Sequence, residues 1–139
     1  MRVYLDGVFD MFHVGHLNSL ETAFLVACED SNPELVVGIV SDKDAISYKR
    51  RPVIDEESRA LIVESIYCVK EVIRNCPLIV TEEFLREHRI DLVVHGFSSP
   101  EDREKQRGFF APIAHKFREI PYTPGISTTM LIAQLKVLE

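Results

Sequence analysis

The residues best suited to chemistry lie near the amino terminus, in Gly7-Val8-Phe9-Asp10 and His13-Val14-Gly15-His16. A helix turns about 100° per residue, so His13 and His16 share a face if they sit on a helical turn. Gly15 between them has no side chain, which lets another group approach the backbone. The helix that follows starts here, and its free N–H groups point at the same spot. Two imidazoles over a helix N-terminus form an anion site. Two ordinary surface histidines at a helix start fit the same residues, and a zinc pair fits less well because no third ligand lies nearby in sequence. Other segments offer matching groups. Lys49-Arg50-Arg51 reads as a solvated basic loop or as part of an anion site. Ser127-Thr128 reads as a helix cap, and a capped helix start is itself a phosphate site. His95, which ends a strand before Gly96, is a candidate to face the same ligand, whereas His88 and His115 read as surface residues.

Bulk properties narrow the classes. The net charge is −6, which disfavours nucleic acid as the partner, and the basic residues are confined to clusters such as 49–51 and Arg103, Lys105 and Arg107. An acidic chain with confined basic patches suits a small anionic ligand better than a long polyanion. Apolar residues make up 46%, enough for a packed core, yet no apolar run approaches the roughly 20 residues that span a bilayer. No signal peptide is read at the start, so the expected location is cytoplasmic. Cys28, Cys68 and Cys76 show no CxxC spacing and read as buried free thiols rather than a disulfide framework or zinc site.

Positioning these groups requires a scaffold, and the hydropathy pattern supplies one. Residues 2–5 read as a strand, and Leu17, Leu20, Phe24 and Ala27 recur at helical spacing. The run 34–40 is nearly all apolar, as in a parallel strand buried on both faces. Residues 41–54 read as a loop. Asp55 caps a helix whose buried face is expected to include Leu61, Ile62, Ser65 and Ile66. Further strands are expected at 69–73, 91–95 and 117–120, with a helix from Thr81 to about His88 and a terminal helix from Ser127 through Leu138. Residues 98–111 read as irregular and partly helical. Strand–helix alternation predicts a single α/β domain over residues 1–139, Rossmann-like, with a five-stranded parallel sheet flanked by helices. Ligands bind such sheets beyond the carboxyl ends of the strands, which is where loops 7–16, 41–52, 95–100 and 121–129 fall.

The two histidine-bearing segments resemble the signature of the HxGH nucleotidyltransferase superfamily. Gly125-Ile126-Ser127-Thr128-Thr129 resembles its second signature, in the form found in the cytidylyltransferase branch. The stretch Tyr48-Lys49-Arg50-Arg51-Pro52-Val53-Ile54 with Glu57 and Arg59 is most similar to ethanolamine-phosphate and choline-phosphate cytidylyltransferases, as are Asp91-Leu92-Val93-Val94-His95-Gly96 and Phe117-Arg118-Glu119-Ile120.

The resemblance implies transfer of CMP from CTP to a small phosphorylated alcohol, with release of pyrophosphate and formation of a CDP-alcohol for phospholipid synthesis. Phosphoethanolamine or phosphocholine is favoured, and glycerol 3-phosphate stays open. It implies His13, His16 and Lys49 as catalytic residues, with Lys49 bridging the reacting phosphates. It assigns Gly7, Val8, Phe9, Gly15, His95, Gly125, Ile126, Ser127 and Thr128 to the nucleotide. Arg59, Phe97 and Tyr122 are expected near the acceptor, with Glu101 or Asp102 as a carboxylate for a cationic headgroup. Asp10 is expected to hold its loop, and Asp42 to serve a turn or cap. No resident metal is expected; Mg²⁺ arrives with CTP. A homodimer is the expected assembly. Tyr122 stands where these relatives carry an arginine, and Phe97-Ser98-Ser99 replaces the acidic or amide residue usual after His-Gly. Two other readings remain: an inactive nucleotide-binding module, favoured by Tyr122, and an adenylyltransferase of the same superfamily, disfavoured by Ser-Thr-Thr.

Overall fold

In the computed structural model, which describes residues 1–138, the longest apolar runs form the centre of a parallel sheet. Strands β1 (Arg2–Gly7), β2 (Glu34–Ile39), β3 (Glu71–Arg74), β4 (Leu92–His95) and β5 (Phe117–Glu119) pair in the order β3-β2-β1-β4-β5. All pairings are parallel; Val3 lies opposite Leu35 on one side and Leu92 on the other. Alternate side chains of β1 and β2 enter opposite layers. Val3, Leu5, Leu35 and Val37 pack against α1 (Val14–Ala27) and α3 (Glu56–Glu64). Tyr4 and Val36 pack with Phe84 and Leu85 of α4 (Glu82–Glu87) and Phe110 of α5 (Pro100–Phe110). The expected Rossmann-like architecture is the one found.

Four local expectations are corrected. Residues 41–54 are not all loop, because α2 spans Asp42–Tyr48. Ser41 caps it by accepting from the Asp44 N–H, and Ala45 is its one buried residue, so no apolar stripe marks it. In α3 the buried residues are Arg59, Ala60 and Val63, while Leu61 and Ile62 are exposed. The helix is rotated from the apolar reading because Arg59 turns inward to bonds described below. Residues 100–110 are fully helical, with Ser99 accepting from the Asp102 N–H. Cys68 and Cys76 are buried as expected, but Cys28 is exposed.

The switch point lies between β1 and β4, where the chain direction of winding reverses. Loops leaving the carboxyl ends of these two strands diverge there and open a crevice. The terminal helix α6 (Thr128–Leu138) starts at its rim and buries no residue completely. No described helix is long and apolar enough to cross a membrane.

Candidate active site

The crevice is a cleft of about 570 Å³. Its floor is the end of β1 with the loop to α1. In that loop Phe9 and Met11 have left-handed backbone (φ 54° and 47°), a conformation that costs a non-glycine residue on the order of 1 kcal/mol. Asp10 stabilises the turn. Its carboxylate accepts from the N–H groups of Val53 (2.8 Å) and Ile54 (2.9 Å), and its carbonyl accepts from Thr128 Oγ1 (2.8 Å). Asp10 therefore holds its loop, as expected, and also ties it to the segment after α2 and to the start of α6.

His13 is the N-cap of α1. Its Nδ1 accepts from the Gly15 N–H at 3.0 Å, while His16 Nδ1 accepts from the His13 N–H at 3.1 Å. This is a capping box built from imidazoles. The rings stack with centroids 3.9 Å apart. A Cβ on Gly15 would lie 2.8 Å from His13 Cε1, so the group that approaches the glycine is the histidine ring itself. Phe9 and Phe12 flank His16 with centroids 5.5 and 5.4 Å away. Burial, followed by His13 and Lys49, pushes His16 down to about 3; burial also lowers His13. Both rings are thus neutral at pH 7. Because Nδ1 is an acceptor in each, the tautomer places the proton on Nε2. Each ring offers a ligand one N–H donor.

Lys49, at the C-terminus of α2, keeps much of its surface open to the cleft yet is enclosed by protein on the other sides. That enclosure lowers its pKa, with Asp102 opposing the shift and Arg50 adding to it. Asp102 comes from α5. Burial pushes its carboxyl up, but the Ser98 N–H, the Gln106 amide and Lys49 together outweigh burial and hold it below the usual range. On the remaining wall Ser127 Oγ accepts from the Met130 N–H (3.1 Å), which caps α6, and Asn18 of α1 donates to Thr123 (3.2 Å). Gly125 (φ +85°) makes the turn into that helix.

The structure gathers most of the sequence-predicted residues on this cleft. His13, His16 and Lys49 line it, as do Gly7, Val8, Phe9 and Gly15 from the first signature. Ile126, Ser127, Thr128, Tyr122 and His95 complete the set. Three do not line it. Gly125 is set back in its turn. Phe97 is buried with Phe110 and Phe117 in the second core layer, so it is not an acceptor wall. Arg59 is 1% exposed, and its guanidinium is consumed beneath the cleft. It donates to the carbonyls of Val8 (2.7 Å), Val40 (2.9 Å) and Ile54 (2.9 Å) and pairs with Asp42 (2.6 Å). Arg59 and Asp42 thus brace the loops, and Asp42 is neither ligand nor cap.

Sequence reasoning missed Asp6 altogether and named Arg50, Lys105 and Thr129 only within a basic cluster or a signature, without assigning them to the site; all four line the cleft. Asp6 was findable as the polar residue at the end of a buried strand; its carboxylate lies 3.4 Å from His95 Nδ1. Lys105 follows Asp102 by one helical turn, a signal hidden while 98–111 read as irregular. Among the described residues no group of three or more His, Cys, Asp or Glu side chains is placed to hold a metal.

Known proteins share this frame. The lipopolysaccharide core biosynthesis protein of Thermoplasma volcanium superposes with a TM-score of 0.67 at 21% identity, over 91% of this chain and 98% of that one, which shows the fold. Probable choline-phosphate cytidylyltransferase of Schizosaccharomyces pombe is 36% identical over 137 residues, 97% of this chain and 37% of that protein. Ethanolamine-phosphate cytidylyltransferase of Arabidopsis thaliana is 34% identical over 142 residues, 97% of this chain and 32% of that one. Choline-phosphate cytidylyltransferase A of Rattus norvegicus is 38% identical over 143 residues, 97% and 36% respectively. The chain thus spans about a third of the length of these relatives. The family model described as cytidylyltransferase-like matches residues 4–134, nearly the whole chain, and the chain belongs to that family.

Proposed function

We propose that the chain transfers CMP from CTP to a small phosphorylated alcohol. An acceptor phosphate oxygen forms a bond to the α-phosphorus, the bond from that phosphorus to the bridging oxygen breaks, and pyrophosphate leaves. The nucleophile is already an anion, so no general base is needed. Catalysis then rests on positioning and on donors aimed at the charge that develops. The observation that carries this reading is the imidazole pair locked as Nε2–H donors in one cleft with Lys49 and the start of α6. Such donors are preorganised, and the low pKa of His16 keeps it neutral rather than a proton acceptor. Mg²⁺ fits as an ion carried by the triphosphate, because the cleft supplies scattered carboxylates rather than a cage; it would neutralise phosphate charge.

The acceptor favoured is phosphoethanolamine or phosphocholine. Asp6, Asp102 and the Tyr122 ring line the same cleft, and a cationic headgroup is matched by carboxylates and an aromatic face. Glycerol 3-phosphate has no cationic group to use them. The relatives' names support this substrate class. A cytoplasmic, homodimeric enzyme of phospholipid synthesis goes with the same reading.

The test is pyrophosphate release from each nucleoside triphosphate with a panel of phosphoalcohols. Release with CTP and a cationic phosphoalcohol is expected. Turnover with ATP alone sinks the cytidylyl reading in favour of adenylyl transfer, and binding of CTP without turnover leaves an inactive module. A higher kcat/KM for glycerol 3-phosphate overturns the headgroup assignment only. His16→Ala is expected to lower kcat about 100-fold or more with the fold intact.

A further inference from the structure

A triphosphate is held by cationic side chains and by oriented N–H donors, and a wall that offers both binds it more tightly than one that offers N–H groups alone. The wall formed by residues 122–129 has no cation of its own: Tyr122 through Thr129 are all neutral. One cation reaches this wall from elsewhere. Arg50, just after α2, lines the cleft and donates from Nη1 to Thr129 Oγ1 at 2.8 Å, in the first turn of α6. Its Nε is buried yet has no hydrogen-bond partner among the described residues. A buried guanidinium donor without an acceptor costs free energy that a ligand oxygen would recover. The neighbouring arginine, Arg59, shows the contrast, since its Nε and both terminal nitrogens have protein acceptors. The hydrogen bond to Thr129 fixes the guanidinium beside Ser127, Thr128 and the helix start, where an anion is already favoured.

We infer that Arg50 is a triphosphate-binding residue, supplying from the loop after α2 the charge that the Tyr122–Thr129 wall lacks. The inference rests on the nucleotidyl-transfer reading. Arg50 is a binding residue for the β- and γ-phosphates, and its contribution is to CTP affinity rather than to recognition of the acceptor.

The experiment compares equilibrium binding of CTP and of CMP by calorimetry in the wild type, Arg50→Gln, Arg50→Lys and Thr129→Val, with thermal melting as the folding control. Arg50→Gln is expected to weaken CTP about 10- to 100-fold, the range for a hydrogen bond to a charged group, and to leave CMP within twofold. Arg50→Lys should recover part of the loss, since charge returns without the fork. Thr129→Val should lose less than Arg50→Gln, because the cation remains. Adding Tyr122→Arg to Arg50→Gln is expected to restore CTP affinity by placing charge back on that wall. Unchanged CTP affinity in Arg50→Gln overturns the inference, as does equal weakening of CTP and CMP, which would make Arg50 a structural latch. Failure of the underlying reading looks different: the wild type would prefer another nucleotide to CTP, and the Arg50 effect would then be read with that nucleotide. A wild type that binds no nucleoside triphosphate overturns both.

Discussion

The two imidazoles act as donors only because the chain has used their other nitrogens. His13 Nδ1 satisfies the Gly15 N–H and His16 Nδ1 satisfies the His13 N–H, so the helix cap and the choice of tautomer are one event. This has a consequence for pH. The folded pKa of His16, about 3, lies below the ordinary value near 6.5, so the unfolded chain holds the proton more tightly. Stability is undiminished by this site above about pH 6.5 and declines as pH falls from there toward about 3. The paired carboxylates of Glu57 and Glu119, whose pKa values are lowered by Arg74 and Arg103, lose their contribution only below the ordinary carboxylate range, about 4. Between pH 6.5 and 4.5 His16→Gln should therefore show a shallower fall in Tm than the wild type; parallel slopes would show that the folded His16 takes up a proton normally. Gly15→Ala tests the geometry instead. The new methyl group would lie 2.8 Å from the His13 ring and push it off the cap, so kcat should fall at least tenfold with KM for the acceptor little changed, measured by pyrophosphate release. The sequence displayed the two histidines and the glycine, and an anion site followed from their spacing. That the ring covers the glycine was hidden, because histidine is an uncommon N-cap and nothing in residue type announces it.

Among the elements, the loops around the cleft are held by two polar braces rather than by apolar packing. Asp10 joins the loop after β1 to residues 53 and 54 and to Thr128. Arg59, from α3, joins the same loop at Val8 to the end of β2 at Val40 and to Ile54. Such braces hold the left-handed Phe9 and Met11 in place. Replacing Arg59 with methionine keeps the bulk and leaves these carbonyls without donors. The expected loss is on the order of 3 kcal/mol, seen as a lower urea midpoint, and it should appear in the absence of any ligand. Wild-type stability combined with a raised KM for the acceptor would return Arg59 to the substrate site. An arginine in an acid-rich helix reads alike whether it turns outward or inward, which is why its role was not legible. The rotation of α3 and the exposure of Leu61 and Ile62 follow from the same cause. Helix α2 was hidden for a different reason: a short helix with one buried alanine carries no periodic signal, and only Ser41 and the acidic first turn mark it.

Over the whole molecule, alternation of strand and helix was legible because buried parallel strands and amphipathic helices differ in period. The order β3-β2-β1-β4-β5 was not, since periodicity leaves open on which side of β1 each later strand joins. That order matters, because the reversal between β1 and β4 creates the cleft and collects its cations there. The distribution of charge has a kinetic consequence. The molecule carries −6, yet His13, His16, Lys49, Arg50 and Lys105 share one cleft. With both histidines neutral, its positive charge comes from the lysines and arginine alone, inside an acidic surround. Outside the cleft but within a Debye length of the surface, a triphosphate meets the net negative field; inside the cleft it meets the cations. Raising the salt from about 0.01 M to about 0.1 M shortens that length from about 30 Å to about 10 Å, which screens the outer repulsion first. The association rate of CTP should therefore rise or hold level over this range, whereas for a basic phosphate-binding protein it falls. The dissociation rate should increase as salt reaches the contacts themselves. Stopped-flow binding at several salt concentrations separates the two rates. An association rate that falls steeply with salt would mean that the cleft's potential outweighs the net charge even at a distance, and that the surrounding carboxylates do not shape the approach of the nucleotide.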